Sequence, residues 1–336
     1  MPVRRKSPRP KAIDERRFHD WLARELPAGH TGLLPLGDDA AAIRPPPGTV
    51  AVLSIDSLVE GTHFRRASPP DRIGAAAAAV SLSDLAAKGA EPTALLLAII
   101  VPVGTPQAWA EGVTRGAQRM SEQFGMALVG GDTKPGPVRT VVSSVVGWAP
   151  ARTLAPRSGA RPGDLLATTG TVGRGGAAAA RILGSARPDR AALVEMLDVR
   201  PRVREGIALA QYAHAMLDTS DGVAEAARLL ASASSVRVEV DWDRLPLAPA
   251  LLLPRISSAE RKRRAFYGGD YELLLTLSAR HLRAAERLVE GIGGMVTVIG
   301  RVKRGHGAWL VGRRGPVPMP PSGWRPFARR PARSAP

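Results

Sequence analysis

The spacing of apolar and polar residues in the first half of the chain predicts strands and helices in alternation. Residues 49–59 alternate so that Ser54 and Asp56 lie on one face of a predicted strand, and Leu53 and Ile55 on the other. Apolar residues spaced three or four apart predict helices instead. The helices predicted in this half are 14–26, 71–88 and 105–124, and the further strands are 93–101, 126–129 and 138–148.

The second half predicts a similar mixture and begins with a glycine-rich turn. Residues 170–176 lie between a predicted strand, 165–168, and an alanine-rich helix, which is a general arrangement for binding phosphate through free backbone N–H groups. The turn is not a P-loop, because no Gly-Lys-Ser or Gly-Lys-Thr occurs in the chain. The further predicted helices are 189–197, 202–217 and 279–290, and the further strands are 237–242, 273–277, 296–302 and 308–311.

The length and the order of elements predict two α/β domains with mixed sheets. A chain of 336 residues is long for one core, since domains usually contain roughly 100 to 200 residues. The segment around Pro150 and the turn-rich residues 157–164 mark the predicted boundary. The predicted parts are a disordered basic tail at 1–13, an N-terminal domain at 14–150, a C-terminal domain at 151–328 and a disordered tail at 329–336.

The composition excludes several classes of function. The chain has no cysteine, which excludes disulfides, thiolate metal sites and a cysteine nucleophile. No apolar run approaches the ~20 residues of a membrane-spanning helix, and no apolar segment follows the basic N-terminus as it would in a secretory signal. These features predict a cytoplasmic protein without a membrane partner.

The net charge of +17 adds a nucleic-acid-associated protein as an alternative, because a basic surface attracts phosphate backbones. Much of this charge lies in the two tails and in the basic run 261–264. No helix-turn-helix, zinc finger or aromatic-studded sheet pattern accompanies it. The charge alone therefore does not identify a nucleic-acid site.

Aspartates flanked by glycine or serine recur at wide separations and predict magnesium-dependent phosphate chemistry. Phosphoryl transfer needs positioning and charge neutralisation, and Mg²⁺ prefers a few carboxylates together with water and phosphate oxygens. Structural roles stay open for single members, since Asp56 can form a turn, Asp84 can be an exposed acid and Asp221 can cap a helix. The stretches are Gly37-Asp38-Asp39, Ser54-Ile55-Asp56, Ser81-Leu82-Ser83-Asp84, the predicted turn Gly130-Gly131-Asp132-Thr133, Asp218-Thr219-Ser220-Asp221 and Gly268-Gly269-Asp270.

These stretches and one other resemble the motifs of the thiamine-monophosphate kinase family, which belongs to the AIR synthase and selenophosphate synthetase superfamily. The resemblance extends from about residue 14 to 327, with the motifs in the order of the family. The matching segments are 37–39, 54–64, 81–90, 130–133, 157–164, 218–222 and 270–274.

The resemblance implies ATP-dependent phosphorylation of thiamine monophosphate to thiamine diphosphate, by direct in-line transfer with several magnesium ions. It also implies a homodimer in which the N-terminal AIR synthase-like domain forms a dimeric β-barrel, with a C-terminal α/β domain beside it. The implied metal ligands are Asp39, Ser54, Ile55, Asp56, Asp84, Asp132, Asp218 and Asp221, of which Asp56, Asp132 and Asp221 are implied to be catalytic. The implied ATP-binding residues are Gly131, Asp132, Arg157 and Ser220, and the implied substrate-binding residues are His63, Asp270 and Trp324.

Three positions depart from the pattern of the family. Gly269 replaces an acidic residue associated with the substrate, Ile55 replaces a threonine, and Pro326 replaces a histidine. The change at Ile55 is tolerable if only its backbone carbonyl is used. The change at Gly269 keeps open a second enzyme hypothesis, a related ATP-dependent enzyme of the superfamily with a different substrate.

Overall fold

The computed structural model describes residues 13–25, 43–184 and 189–324. The chain divides into two compact units, of which the first comprises the residues up to Ala155 together with Arg181–Gln211, and the second comprises Pro156–Ala180 and the residues from Tyr212 onward. The sequence places a single boundary near residue 150, whereas in the structure residues 181–211 belong to the first unit. No helix in the described ranges is long and apolar enough to cross a membrane.

Helices and strands alternate through most of the described chain. The helices are α1 (Glu15–Glu25), α2 (Pro70–Ala86), α3 (Gln107–Glu122), α4 (Arg174–Leu183), α5 (Arg190–Met196), α6 (Val203–Ala210), α7 (Val223–Ser234), α8 (Ser258–Ala265) and α9 (Leu282–Glu290). The strands are β1 (Thr49–Val59), β2 (Glu91–Val101), β3 (Ala127–Pro135), β4 (Thr140–Pro150), β5 (Leu165–Thr169), β6 (Ala213–Asp218), β7 (Arg237–Asp241), β8 (Leu273–Leu277), β9 (Val296–Lys303), β10 (Gly307–Gly312) and β11 (Gly315–Pro318).

The first unit is built on a four-stranded sheet in the order β1-β4-β2-β3. β2 and β3 are parallel, and the other neighbouring strands are antiparallel. One face of the sheet packs against α2, and α2 packs against α3. On the other face of β1, Leu53 and Ile55 are 67% and 68% exposed. The alternation predicted for this strand is therefore confirmed.

The second unit contains a seven-stranded sheet in the order β11-β10-β7-β9-β5-β8-β6. Its β7 and β10 are parallel, and its other pairs are antiparallel. Helix α7 contributes Leu230 and Ala227 to a core that also contains Leu166, Leu274 and Phe266. The prediction of mixed α/β units is confirmed. The four-stranded sheet of the first unit is open at both edges within the described residues, so no closed barrel is found there.

Two element predictions are wrong because tertiary pairing overrides the local pattern. The predicted turn 130–133 is part of strand β3, and the pairing with β2 shifts by one residue so that Leu96 lies opposite Gly130. The alanine-rich segment predicted as one helix over 202–217 ends as a helix at Ala210 and continues as strand β6. A short apolar segment fits a helix or a buried strand equally well, and here the buried sheet decides.

Glycines allow helices α2 and α3 to pack with their backbones in contact. A Cβ atom on Gly74 would lie 1.8 Å from the carbonyl oxygen of Val113, and one on Gly116 would lie 1.9 Å from that of Asp71. Alanines on α2, including Ala77, are fully buried in the same layer. This close packing holds α2, which carries Asp84, against the sheet.

We expect Gly116→Ala to destabilise the first unit by about 3 kcal/mol, because the added methyl group collides with a backbone carbonyl that cannot rotate away. Gly112→Ala on the same helix is the matched control, since its Cβ would meet the Pro70 side chain at 2.9 Å rather than backbone. In that variant the better helix propensity of alanine offsets the contact. Urea unfolding of both variants tests this. Equal midpoints would contradict the packing argument.

Candidate functional site

Three predicted site residues of the first unit lie where the edge strand β1 meets α2. Ser54 and Asp56 are alternate residues of β1 on the face toward α2, and both are partly buried. The Ser54 hydroxyl donates a short hydrogen bond to Oδ2 of Asp84 on α2. Ile55, between them, directs its side chain to the open face, so only its backbone is on this side. The structure therefore brings Asp84 to the strand that carries Asp56.

Gly131 and Asp132 lie on β3, at the opposite edge of the same sheet. In the register of the sheet Asp56 pairs with Ser143 of β4. Ser143 pairs with Leu97 of β2, and Leu97 pairs with Gly131. Three strand spacings of roughly 4.8 Å separate the two edges by about 14 Å. Within one unit, Asp56 and Asp132 are therefore too far apart to hold the same cation.

The Asp132 carboxylate is accessible, and its contacts are local. Its side chain is 57% exposed and lies 3.1 Å from Nζ of Lys134. Its Oδ1 also accepts a hydrogen bond from the backbone N–H of Thr133 at 2.8 Å. The preceding Gly131 has no room for a side chain, because a Cβ would lie 2.0 Å from the carbonyl oxygen of Leu97. That close approach sets the position of Asp132.

His63 is held as a neutral imidazole in the segment after β1. Its Nδ1 accepts a hydrogen bond from the backbone N–H of Val59 at 3.0 Å. Burial of the ring lowers the pKa of His63 below its usual value. Because Nδ1 accepts this hydrogen bond, the proton of the neutral ring lies on Nε2. His63 can therefore donate a hydrogen bond through Nε2 without carrying a charge.

In the second unit, the predicted ligand Asp218 is the last residue of β6, and Asp221 lies on the loop that follows it before α7. The Ser220 hydroxyl donates to Oδ1 of Asp218 at 2.9 Å, and the Ser220 carbonyl accepts from the Gly269 N–H at 2.7 Å. Burial, with a smaller effect of the nearby Glu225 charge, raises the pKa of Asp221. A carboxylate in a partly buried, negative environment is stabilised by a cation.

Arg157 lies on an exposed loop of the second unit and makes no hydrogen bond or ion pair with any described residue. The acid of the same motif has a structural role. Asp164 is buried, accepts the Arg161 N–H at 2.8 Å and lies 2.9 Å from Nδ1 of His214. The loop is thereby fixed while the Arg157 guanidinium stays available to an anion.

The glycine-rich turn before α4 already binds a carboxylate of the protein. Asp270 accepts hydrogen bonds from the N–H groups of Gly173 at 2.6 Å and Gly175 at 2.9 Å. Asp270 is only 3% exposed. The turn predicted to bind phosphate thus binds a carboxyl group of the protein at the helix N-terminus. Burial raises the pKa of Asp270 to about 7, an effect that the two backbone hydrogen bonds oppose and the nearby Glu272 increases.

Glu272 is a buried acid that sequence reasoning did not assign. Its Oε2 accepts from the Thr169 hydroxyl at 2.7 Å, and its carboxylate lies directly against the Cα of Gly170. Between the two buried acids, Tyr271 has a φ of 55°, a left-handed conformation that costs about 1 to 3 kcal/mol and is often found at functional sites. The buried side chains of Asp270 and Glu272 therefore both contact the glycine-rich turn before α4.

Trp324 lies beside the acidic loop of the second unit. Its backbone N–H donates to the carbonyl oxygen of Asp221 at 3.1 Å. Its ring is tilted by 59° to the ring of Tyr267, with centroids 6.4 Å apart. An aromatic pair therefore lies beside the loop that carries Asp218 and Asp221.

The donor set fits magnesium better than a metal held by protein ligands alone. No three His, Cys, Asp or Glu side chains among the described residues lie close enough to hold one metal ion. The carboxylates instead occur near serine hydroxyls, as in Ser54 with Asp84 and Ser220 with Asp218. Mg²⁺ usually takes one or two carboxylates and completes its octahedron with water and phosphate oxygens. The predicted ligand Asp39 lies outside the described residues.

Comparison with known families identifies related domains in both halves. The AIR synthase related protein N-terminal domain matches residues 37–149, and the corresponding C-terminal domain matches residues 161–311. The thiamine-monophosphate kinase of Synechococcus elongatus is 37% identical over 300 residues, which cover 82% of this chain and 88% of that protein. The Escherichia coli K12 thiamine-monophosphate kinase is 33% identical, covering 80% of this chain and 84% of the relative.

Solved structures show the same relationship. The thiamine-monophosphate kinase of Stenotrophomonas maltophilia superposes with a TM-score of 0.76 and 32% identity, over 90% of this chain and 98% of that one. AaThiL complexed with AMPPCP and TMP gives a TM-score of 0.73 and 28% identity, over 84% of this chain and 89% of that one. Escherichia coli HypE, with a TM-score of 0.71 and 20% identity over 91% of this chain and 98% of that one, shares the fold.

Proposed function

Because the chain belongs to the thiamine-monophosphate kinase family of AIR synthase related proteins, we propose that it phosphorylates thiamine monophosphate with ATP to give thiamine diphosphate. The observation that carries the proposal is the likeness to AaThiL, which was solved with AMPPCP and TMP. The motifs of the chain supply phosphate-binding and carboxylate groups in both units. The reaction needs no protein nucleophile, because the substrate phosphate attacks the γ-phosphorus of ATP in line.

The carboxylates hold magnesium in this proposal. Magnesium, when bound, neutralises the phosphate charge that opposes attack of one phosphate on another. Asp84 is oriented by Ser54, and Asp218 by Ser220, so each carboxylate is preorganised by a hydroxyl group. The proposed ligands are Asp39, Asp56, Asp84, Asp132, Asp218 and Asp221, with the backbone or hydroxyl oxygens of Ser54 and Ile55, and Asp56, Asp132 and Asp221 have the proposed catalytic roles.

The proposed substrate contacts come from both units of the chain. Arg157, which has an exposed guanidinium, and Ser220 are the proposed ATP-binding residues of the second unit, and Gly131 is a proposed ATP-binding residue of the first. His63 offers Nε2–H to the acceptor substrate, and Trp324 covers its ring. Asp270 is buried and accepts hydrogen bonds from the glycine-rich turn, so its proposed contribution to substrate binding is to fix that turn.

Incubation of the purified protein with ATP, Mg²⁺ and thiamine monophosphate tests the proposal, and chromatography measures the product. We expect thiamine diphosphate and ADP in equal amounts, and no product without Mg²⁺. ATP binding without thiamine diphosphate formation would favour a related enzyme of the superfamily with another substrate. Gly269 motivates that second candidate, because it stands where the family has an acidic residue and offers no side chain to the substrate. Its φ of 79° lies in the left-handed region that glycine readily adopts.

The described part of the chain gives little support to the nucleic-acid alternative. The basic run on α8 is engaged within the protein: Arg263 and Arg264 each form an ion pair with Glu260. Arg261 donates to the carbonyl oxygen of Leu251 at 2.8 Å, and the Lys262 ammonium lies 5.2 Å from the Trp242 ring centroid. These contacts leave fewer cations for a phosphate backbone.

We also propose that the first unit forms a homodimer through the open face of its sheet, closing a barrel between two copies. The exposed apolar residues Leu53, Ile55 and Leu96 support this, because a contiguous apolar sheet face next to the free edge of β1 favours pairing with another sheet.

Leu53→Lys tests the dimer. We expect light scattering after size exclusion to show half the wild-type mass, because a charge on the covered face prevents association. Val103→Lys is the control, since Val103 is 92% exposed but lies in the turn after β2 rather than on the sheet face. A wild-type protein of monomer mass, or an undiminished mass for Leu53→Lys, would contradict the proposed interface.

A further inference from the structure

Residues 319–324, which we call the C-terminal strap, return from the end of β11 to the acidic loop of the second unit. At one end the N–H of Met319, a buried residue, donates to the carbonyl oxygen of Ala308 at 2.9 Å. At the other end the N–H of Trp324 donates to the carbonyl oxygen of Asp221 at 3.1 Å. The strap therefore connects the core of the unit to the backbone of a proposed metal ligand.

A single side chain, Arg228 on α7, holds the middle of the strap. Its Nη1 donates to the carbonyl oxygen of Pro320 at 2.7 Å, and its Nη2 donates to that of Ser322 in a short hydrogen bond. Its Nε and Nη2 donate to Oε2 of Glu225 at 2.9 Å and 2.6 Å. All three guanidinium nitrogens are engaged, and the planar fork fixes the spacing of the two strap carbonyls.

The strap approaches the acidic loop so closely that Gly323 has no room for a side chain. A Cβ atom on Gly323 would lie 2.7 Å from the carbonyl oxygen of Asp221 and 3.2 Å from Cβ of Glu225, and its φ is 124°. Glu225 therefore lies close to the strap at Gly323 and also forms the ion pair with Arg228. A displacement of the strap would move both the loop backbone and Trp324.

We propose that Arg228 is a positioning residue for the acceptor substrate: it fixes the strap so that the Trp324 ring stands beside Tyr267 and the Asp218–Asp221 loop. This inference rests on the proposed function, in which Trp324 covers the substrate ring. Arg228 acts through the strap and does not touch the reacting atoms. The partly buried ion pair with Glu225 keeps the guanidinium in place, because each partner limits the rotamers of the other.

Arg228→Gln tests the proposal, with Arg244→Gln as the matched control. Arg244 also forms an ion pair three residues apart, with Asp241 at 3.3 Å, but it makes no strap contact. In Arg228→Gln we expect the KM for thiamine monophosphate to rise about tenfold, while kcat and the KM for ATP change less than about twofold. This pattern is expected when a contact to the substrate that is equally strong in the ground state and the transition state is lost. Arg244→Gln leaves all three constants at the wild-type values.

Two further measurements separate positioning from a general loss of stability. Combined with Trp324→Ala, Arg228→Gln should add less than about twofold to the KM, because coupled residues are not additive. Without any substrate, hydrogen exchange of the strap amides should be faster in Arg228→Gln than in the wild type or in Arg244→Gln. Arg228→Lys, which keeps the charge but lacks the fork, should resemble Arg228→Gln.

Three outcomes would overturn the proposal. They are additive effects of Arg228→Gln and Trp324→Ala on the KM, a fall of kcat in Arg228→Gln as large as the rise of the KM, and an unchanged rate of hydrogen exchange of the strap amides. Failure of the wild type to form thiamine diphosphate is a different result, because it overturns the proposed function and with it the substrate role of Arg228. Faster strap exchange in Arg228→Gln would still establish the structural attachment in that case.

Discussion

We expect Asp221→Asn to lower the rate of thiamine diphosphate formation by about a thousandfold, a loss of about 4 kcal/mol in transition-state stabilisation. The substitution keeps the size of the side chain but removes the negative charge that a cation requires. Asp221 already has a raised pKa because of burial, with a smaller effect of Glu225, so a cation bound there relieves an unfavourable environment. The strap is unaffected, since Trp324 binds the carbonyl oxygen of residue 221 rather than its carboxylate.

Steady-state rates at saturating ATP and increasing Mg²⁺ measure this loss, and a thermal melt checks that the variant is folded. Asp243→Asn is the control, because Asp243 is an exposed acid of the same unit outside the acidic loop. Its rate should equal that of the wild type. If Asp221→Asn keeps more than about a tenth of the wild-type rate in a folded protein, Asp221 is not a metal ligand for this reaction.

The strand that carries Asp56 could be predicted from the sequence because its information is local. The bounds 49–59 and the two faces of the strand follow from alternation alone, and the structure confirms both. The position of Asp84 on a helix also followed from spacing. The hydrogen bond from Ser54 to Asp84 could not be predicted, because it joins residues thirty positions apart through the packing of α2 on the sheet.

Two glycine-containing segments depend on long-range contacts that the local sequence does not reveal. Gly130 and Gly131 are typical of a turn, yet they are strand residues, since the missing side chain of Gly131 lets β3 lie against the Leu97 carbonyl. The glycine-rich turn before α4 is typical of a phosphate site, yet its N–H groups bind Asp270, nearly a hundred residues away. In both cases glycine signals a close approach, and the sequence does not tell which group approaches.

Asp270 also gives the second unit a pH dependence whose sign follows from its environment. Burial raises its pKa from 3.8 to about 7 in the folded protein, although the N–H groups of Gly173 and Gly175 oppose the shift. Below the unfolded pKa both states are protonated and no charge is buried. As the pH rises from about 4 to about 7 the unfolded state loses its proton first, so the stability falls. At about 1.4 kcal/mol for each pKa unit, the fall amounts to about 4 kcal/mol.

We therefore expect Asp270→Asn to remove this slope. The amide has no proton to lose in this range. Relative to the wild type, the variant should therefore gain about 4 kcal/mol in unfolding free energy between pH 4 and pH 7. Near pH 4 the variant should be less stable, because the amide nitrogen cannot accept from one of the two N–H groups, a loss of about 1 to 3 kcal/mol. Urea unfolding at successive pH values measures both effects.

Thr276→Val, which removes a buried hydroxyl without a partner in the described structure, is the control, and it should keep the wild-type slope. Parallel slopes for wild type and Asp270→Asn would mean that Asp270 ionises in the folded protein without this cost.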